Sequence, residues 1–266
     1  MSLPWTGVFA VTRLELRRLF VRPLAWVLAA LTLAQLAWRF VLLLGGFLAS
    51  QIKLAALPGG PGYTDLVGVP MLSSILTGGI LPFGVAELAL VIVPLLAMST
   101  LAGERSNGTL PLWFATGLPA SHIVLGKYLA LMLWLVIWLA LALAMPLSLA
   151  HGVTLDWGKL ASASLGLLLM LAALAAIGVA CSAFTALPAM AAATSLMLGL
   201  ALAGVNLGAQ MAGVSNGFFN ALSLSAHLES LLRGLVSSAD VMWFVLMIAV
   251  ALALATQRLA SERERG

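Results

Sequence analysis

The stretch "LASASLGLLLMLAALAAIGVACSA", residues 160–183, contains no charged residue and is long enough to cross a bilayer as one helix. Similar runs recur along a chain in which 62% of residues are hydrophobic and only 8% are charged. A soluble globular domain has about a quarter of its residues charged. Because unpaired backbone groups are costly in hydrocarbon, runs of this length predict helices rather than a β-barrel. The composition therefore predicts an all-α integral membrane protein.

Charges, Gly/Pro clusters and polar loops divide the apolar runs into predicted transmembrane spans. These six spans cover about 24–48, 83–102, 127–149, 160–183, 188–212 and 240–257. Only "SAFTALP" separates the fourth span from the fifth, and Pro188 is placed to begin the fifth, which predicts a tight helical hairpin. We expect residues 1–266 to form one transmembrane domain.

Basic residues predict the orientation of these spans. One side of the membrane would carry Arg13, Arg17, Arg18, Arg22, Arg105, Lys127, Arg258, Arg263 and Arg265. The other side would carry Lys53, Lys159 and Arg233. Because Lys and Arg favour the cytoplasmic side, both termini are expected in the cytoplasm. The same clustering at span ends argues against nucleic-acid binding, since no aromatic-interleaved basic face is present.

Residues 1–22 are predicted to form an amphipathic helix that lies in the membrane interface. Arg13 and Arg17 are four residues apart on a basic side. The apolar side would consist of Phe9, Leu16, Leu19 and Phe20. The alternative is a cytoplasmic extension of the first span that is broken at Pro23.

Two segments outside the cytoplasm are longer than a simple connection requires. Residues 50–82 are rich in Gly and Pro and predict an ordered or partly ordered loop with short helices. Residues 213–239 predict an amphipathic helix at the outer face, with Glu229 and Arg233 as an i,i+4 ion pair. Its apolar side would consist of Leu224, Leu228, Leu231, Leu232 and Leu235. His227 and Asp240 belong to the same outer segment.

The most polar stretch, "GERSNGTLPLWFATGLPASHIVLGKY", occupies residues 103–128 between the second and third spans. Asn-Gly is a turn signal, and Thr109 is placed to cap a short helix whose first turn contains Pro111. Apolar residues follow in succession: Leu110, Leu112, Trp113 and Phe114. They need burial in a partner protein, in lipid or against the bundle, so we expect a docking element rather than a solvated loop.

This stretch resembles the first cytoplasmic loop of ABC-2-type permeases. An acidic-basic pair, a Gly-Thr, a leucine-rich coupling helix, a Pro and a Gly-Lys occur there in the same order. The matching residues are Glu104, Arg105, Gly108, Thr109, Leu110, Leu112, Pro119, Gly126 and Lys127. The segment "LSAHLESLLRGLVSSADVMWF", residues 224–244, is most similar to the permeases associated with bacterial gliding motility.

The resemblance implies a permease subunit that couples ATP hydrolysis in a separate ATPase to export across the bacterial inner membrane. The complex would contain two ATPase copies, a second permease subunit as homodimer or heterodimer partner, and in some cases a periplasmic accessory protein. Residues 104–127, with Trp113 among them, would couple to the ATPase. The chain itself has no Walker A motif, because Tyr128 follows Gly126-Lys127 in place of Ser or Thr. ATP and Mg would therefore bind to the partner, and no cofactor is expected here.

Polar residues inside the spans are candidates for a translocation path or gate, because their burial is costly. They are Glu87 in the second span and Asn206 and Gln210 in the fifth. If Glu87 and Arg39 both face inward, they would pair; the alternative for Arg39 is to extend to the interface.

Small residues predict close helix packing at two places in the fourth and fifth spans. One pair is Gly178 and Ser182, and the other is a GxxxG at Gly204 and Gly208. We expect this packing within one chain, with a dimer seam as the alternative.

Two other functions stay open: an assembly anchor driven by the same ATPase, and an ion-coupled secondary carrier.

Overall fold

The computed structural model of the chain describes residues 6–55, 60–74, 83–211 and 217–265, and these ranges contain helices and no strand. The helices are α1 (Thr6–Val21), α2 (Pro23–Ala55), α3 (Val69–Leu72), α4 (Val85–Ala97), α5 (Ala102–Ser106), α6 (Leu110–Ala115), α7 (Ala120–Leu147), α8 (Trp157–Phe184), α9 (Pro188–Met211), α10 (Gly217–Leu222), α11 (Leu224–Leu232) and α12 (Ser238–Arg265). A π-helical turn, Thr64–Gly68, precedes α3.

Six helical segments in the described part of the chain are long and apolar enough to span a membrane. They are Pro23–Gln51, Val85–Ser106, Ala120–Leu147, Trp157–Phe184, Pro188–Asn206 and Ser238–Glu264. The prediction of a helical multi-span membrane protein is confirmed. So is the hairpin, because α8 ends at Phe184 and α9 begins at Pro188. The third span begins at Ala120 instead of Lys127, since Lys127 is paired and continues the helix.

Helix α8 is the centre of the bundle. Of its most apolar part 83% is buried inside the protein, against 17% for α2, α9 and α12. A Cβ atom added at Gly178 would lie 2.5 Å from Cβ of Ala97, so this glycine allows α4 to approach α8 closely. The hydroxyl of Ser182 accepts hydrogen bonds from the backbone N–H groups of Leu101 (3.0 Å) and Ala102 (2.9 Å). The Gly178 and Ser182 pair therefore packs internally, as predicted.

The second small-residue pair does not pack internally. A Cβ atom added at Gly204 or Gly208 would meet no atom of the described residues within 4 Å. The expectation of close packing within the chain is wrong for this GxxxG, because both glycines lie on the exposed side of α9.

Residues 60–74 contain short helical elements of the kind that the sequence predicts, the π-helical turn and α3, and they pack into the bundle. Residues 67–72 are buried among the spans, and the phenol of Tyr63 donates a hydrogen bond to the carbonyl of Pro146 (3.0 Å). Asp65 forms an ion pair with Lys159 at the start of α8. The segment is helical and apolar enough to pack into the bundle. Residues 56–59 and 75–82 of the predicted loop lie outside the described residues.

Helix α1 is separate from α2, and the chain breaks between them just before Pro23, as predicted. The predicted apolar side would face lipid, so its exposure from the protein does not contradict the prediction. Leu19 is buried, but Phe9 is 69% exposed. Helix α1 packs on α7 through a side that contains Val8 and Val11, because Gly126 leaves room there: a Cβ on it would lie 2.6 Å from Val11.

Candidate functional site

The polar stretch between the second and third spans folds into α5 and α6 at one end of the bundle. Gly108 and Gly117, which precede and follow α6, have φ angles of +67° and +72°, a conformation that glycine adopts without steric cost. Helix α6 follows Thr109 as predicted. The Thr109 hydroxyl donates to the carbonyl of Glu104 (3.3 Å) and does not cap α6, which corrects the predicted cap. We call this end of the molecule the hub end.

Lys127 lies buried in α7 at the hub end and is paired with two carboxylates. Its Nζ is 2.8 Å from Oε1 of Glu15 in α1 and 2.8 Å from Oε1 of Glu104 in α5. The Trp113 ring of α6 lies 5.0 Å from the same Nζ, close enough for a cation–π interaction. A buried charge is costly unless it is paired. Lys127 therefore holds α1, α5 and α6 together on α7.

Arg18 adds a second cation to this group. Its Nη1 is 2.8 Å from Oε1 of Glu15 and 3.0 Å from Oε1 of Glu104. The four residues Glu15, Arg18, Glu104 and Lys127, which we call the charge cluster, are formally neutral together. Sequence analysis singled out Glu104 and Lys127 but missed Glu15. A signal was available, because Glu15 is the one acidic residue among the arginines of residues 6–22.

Arg105 connects α5 to two other helices at the hub end. Its guanidinium donates to the carbonyls of Ala183 (2.9 Å) and Thr185, at the end of α8, where carbonyls have no partner within the helix. The same group lies 2.8 Å from both carboxylate oxygens of Glu262 in α12. Arg105 thus caps α8 and ties it to the last helix. The sequence analysis missed Glu262, because nothing local relates two residues 157 positions apart.

Helix α6 turns a large apolar side chain, Leu112, away from the protein, beside the smaller exposed Pro111 and Ala115. Leu110 and Trp113 are buried, whereas Leu112 is 68% exposed. A groove of 250 Å³ separates α6 from α1. Its lining is formed by Leu14, Arg18, Thr109, Leu112, Trp113 and Thr116. The result is a firmly held short helix that presents an apolar side chain beside an arginine.

Pro119 completes the predicted set at the hub end. It is the residue before α7 and has the extended backbone that ends the preceding turn (ψ 149°). The neighbouring carbonyl of Leu118 accepts a hydrogen bond from Arg263 in α12 (3.1 Å). The end of α12 therefore contacts this loop at two points, through Glu262 and through Arg263.

Arg39 and Glu87 form a second polar group, inside the bundle. Arg39 is fully buried and donates to the carbonyl of Pro70 through Nε (3.2 Å) and Nη2 (2.5 Å). Glu87 accepts hydrogen bonds from the hydroxyl of Ser73 (2.8 Å) and the N–H of Ser74 (2.9 Å). No ion pair joins Arg39 to Glu87 in the described structure, so the predicted direct pair is absent. The two charges instead hold residues 70–74 between them.

Asn206 and Gln210 are the two polar residues that the sequence analysis proposed for a path in the fifth span. Asn206 is half-buried and makes no side-chain hydrogen bond within the described part of the chain. The side chain of Gln210 lies outside what the structure describes. Glu87 and the fifth span do approach each other, because Glu87 and Ala203 line one cavity.

The described part of the segment that the sequence predicts as an outer amphipathic helix, residues 217–239, contains two short helices, α10 and α11, and α11 buries one apolar side against the bundle. Residues 213–216 lie outside the described residues. The buried leucines are Leu224, Leu228, Leu231 and Leu232, as predicted. Leu235 lies beyond the end of α11 and is 65% exposed, so its predicted place on the apolar side is wrong. Glu229 and Arg233 form the predicted pair, with Nε of Arg233 3.1 Å from Oε1 of Glu229.

His227 joins α11 to α12, a contact that sequence analysis did not predict. Its Nδ1 is 2.6 Å from Oδ1 of Asp240, and its ring stacks on Trp243 with a centroid distance of 4.7 Å. Asp240 also accepts a hydrogen bond from the Ser230 hydroxyl. Because Ser230 donates to the carboxylate and not to the imidazole, this group is not a nucleophile–base pair. Its position indicates a structural link between α11 and α12.

No protein-family model matches the chain, and no curated protein sequence is significantly similar to it.

Proposed function

We propose that the chain is the permease subunit of an ATP-driven ABC-2-type exporter of the bacterial inner membrane, with the hub end in the cytoplasm. The observation that carries the proposal is α6: a short helix fixed by buried charges that presents Leu112, 68% exposed, outside the bundle. Leu112 and Leu14 line one groove beside Arg18, and contiguous exposed apolar surface with a polar rim marks protein interaction sites. A separate ATPase would bind there.

The contacts of α6 suit it to carry a mechanical input. The charge cluster connects α5 and α6 to α1 and α7, and Arg105 connects α5 to α8 and α12. Movement of a docked ATPase would therefore act on several spans together, as rigid-body transitions require. An assembly anchor driven by the same ATPase would use the same contacts.

Co-purification tests the docking. The chain is expressed together with its genomic neighbours, and the ATPase recovered with Leu112→Asp is compared with that recovered with wild type. We expect Leu112→Asp to lose most of the ATPase, because a charge would be placed in a desolvated apolar contact. The matched control is Leu235→Asp, which changes a leucine of similar exposure (65%) in the connection between α11 and α12. Equal recovery of the ATPase with both variants would contradict the proposal.

An ion-coupled secondary carrier is the second candidate, and Arg39 is the observation that favours it. The residue is fully buried near the middle of the first span, and buried intramembrane charges mark ion or substrate paths in many carriers. Proteoliposomes that contain the chain without an ATPase separate the candidates. Gradient-driven uptake of an ion that Arg39→Gln abolishes would support the carrier.

A further inference from the structure

A cavity of 130 Å³ lies between four helices, beneath α11 and beside Glu87. Most of its wall is apolar and includes Leu90 of α4, Met170 of α8 and Leu228 of α11. Ala203 of α9 leaves the space open, because its side chain is a single methyl group. Apolar cavities of about 150 Å³ hold molecules of the size of benzene. The volume therefore fits a chain of a few carbon atoms or one small ring.

The polar groups on the wall can accept hydrogen bonds, but they have no free donor hydrogen. An ionised carboxylate has about four acceptor sites and no donor. Oε1 of Glu87 accepts two hydrogen bonds, from Ser73 and Ser74, and Oε2 accepts one, from the N–H of Gly84 (2.8 Å). One acceptor site on Oε2 is left after these three contacts.

Ser225, the second polar residue on the wall, leads to the same result. Its hydroxyl hydrogen is donated to the carbonyl of Ala203 (2.7 Å), so only oxygen lone pairs face other groups. A ligand that carries a hydrogen-bond donor is therefore matched by Glu87 and Ser225. A ligand that carries only acceptors, such as a carboxylate, would meet lone pairs and a negative charge.

We propose that this cavity binds the apolar part of a small amphiphile whose polar group, an ammonium ion or a hydroxyl, donates a hydrogen bond to Glu87. Glu87 is then the specificity-determining residue, and the small side chain of Ala203 leaves room for the ligand's alkyl chain. The statement that this amphiphile is the exporter's substrate rests on the proposed function. The statement that the cavity binds it does not, because the whole cavity lies within this protein.

The test uses the full-length protein in lipid nanodiscs and three probes with the same chain: n-hexylamine, n-hexanol and hexanoate. Dissociation constants come from ligand-dependent shifts of the unfolding temperature. We expect hexylamine to bind about tenfold or more tightly than hexanoate, the size of effect that one hydrogen bond to a charged group gives. Hexylamine should also bind more tightly than hexanol, because the ammonium ion is charged, and Glu87→Gln should remove this preference.

Ala203→Leu tests the place of binding. The larger side chain fills part of the cavity, so it should weaken hexylamine binding about tenfold or more and raise the unfolding temperature without ligand. The matched control is Ala201→Leu, on the exposed side of the same helix, which should bind as wild type. This control also corrects for partition of the probes into lipid.

Three results would overturn the proposal: no saturable binding of hexylamine, equal affinity for hexanoate, or equal binding by the Ala203→Leu and Ala201→Leu proteins. If Glu87→Gln does not fold, the ranking of the probes on wild type still decides. No ATPase is present in these assays. If the probes do not bind but Leu112→Asp loses the ATPase as expected, the binding-site proposal is wrong and the exporter proposal stands. If the probes bind as expected but Leu112→Asp keeps the ATPase, the binding-site proposal stands and the docking proposal is wrong.

Discussion

Replacing Lys127 by Met should destabilise the protein strongly. The Lys127 side chain is 1% exposed, and the change leaves Glu15 and Glu104 buried after the loss of two 2.8 Å ion pairs. Removing one partner of a buried pair costs about 3–5 kcal/mol. Arg18 still contacts both carboxylates but its side chain is 42% exposed, so it compensates in part. We expect a loss near the lower limit, about 3 kcal/mol.

The matched control is Lys159→Met. Lys159 also pairs with one carboxylate, Asp65, but the two side chains are 27% and 37% exposed. Exposed pairs contribute about 0–1 kcal/mol, so the control should lose less than about 1 kcal/mol. The free energy of unfolding is measured by reversible denaturation of both variants in mixed micelles.

A double-mutant cycle isolates the pair energy. The loss of unfolding free energy in the double variant Lys127→Met, Glu104→Gln should be smaller than the sum of the two single losses by about 1 kcal/mol or more. The reason is that the second change removes a charge that the first left unpaired. Equal losses for Lys127→Met and Lys159→Met, or strict additivity in the cycle, would refute the assignment of the charge cluster as a buried, coupled unit.

Two further predictions concern other contacts. Gly178→Val should lower the free energy of unfolding by about 1–3 kcal/mol, because the valine side chain would overlap α4. Gly204→Val, in open space, should lower it by less than about 1 kcal/mol. Thermal unfolding of the two variants measures the difference. Glu262→Gln should lower stability by about 1 kcal/mol or more, because Arg105 loses a bidentate, partly buried partner, and Glu264→Gln, an exposed neighbour, should have no measurable effect.

Sequence reasoning was most successful where local composition decides the structure. Apolar runs predicted all six spans, and Pro188 predicted the hairpin between α8 and α9. The periodicity of leucines also predicted the buried side of α11, apart from Leu235. Each of these features depends on residues that are close in the chain, so a short window contains the necessary information.

It was right for one small-residue pair and wrong for the other. Gly178 and Gly204 both belong to small-residue pairs in apolar helices, yet one approaches α4 and the other meets nothing within 4 Å. Which side of a helix faces a neighbour is decided by the whole bundle. In the same way the pattern of residues 1–22 did not indicate that α1 packs on α7 through Val8 and Val11.

The sequence by itself determined that the chain is helical, apolar and divided into spans, because a bilayer requires helices with internally paired backbone groups. It also marked Glu104, Arg105 and Lys127 as anomalous charges. Only the tertiary structure decided what these charges contact. Lys127 meets Glu15 and Glu104, and Arg105 meets Glu262, since buried charges take whichever opposite charge the packing of the helices brings within hydrogen-bond distance.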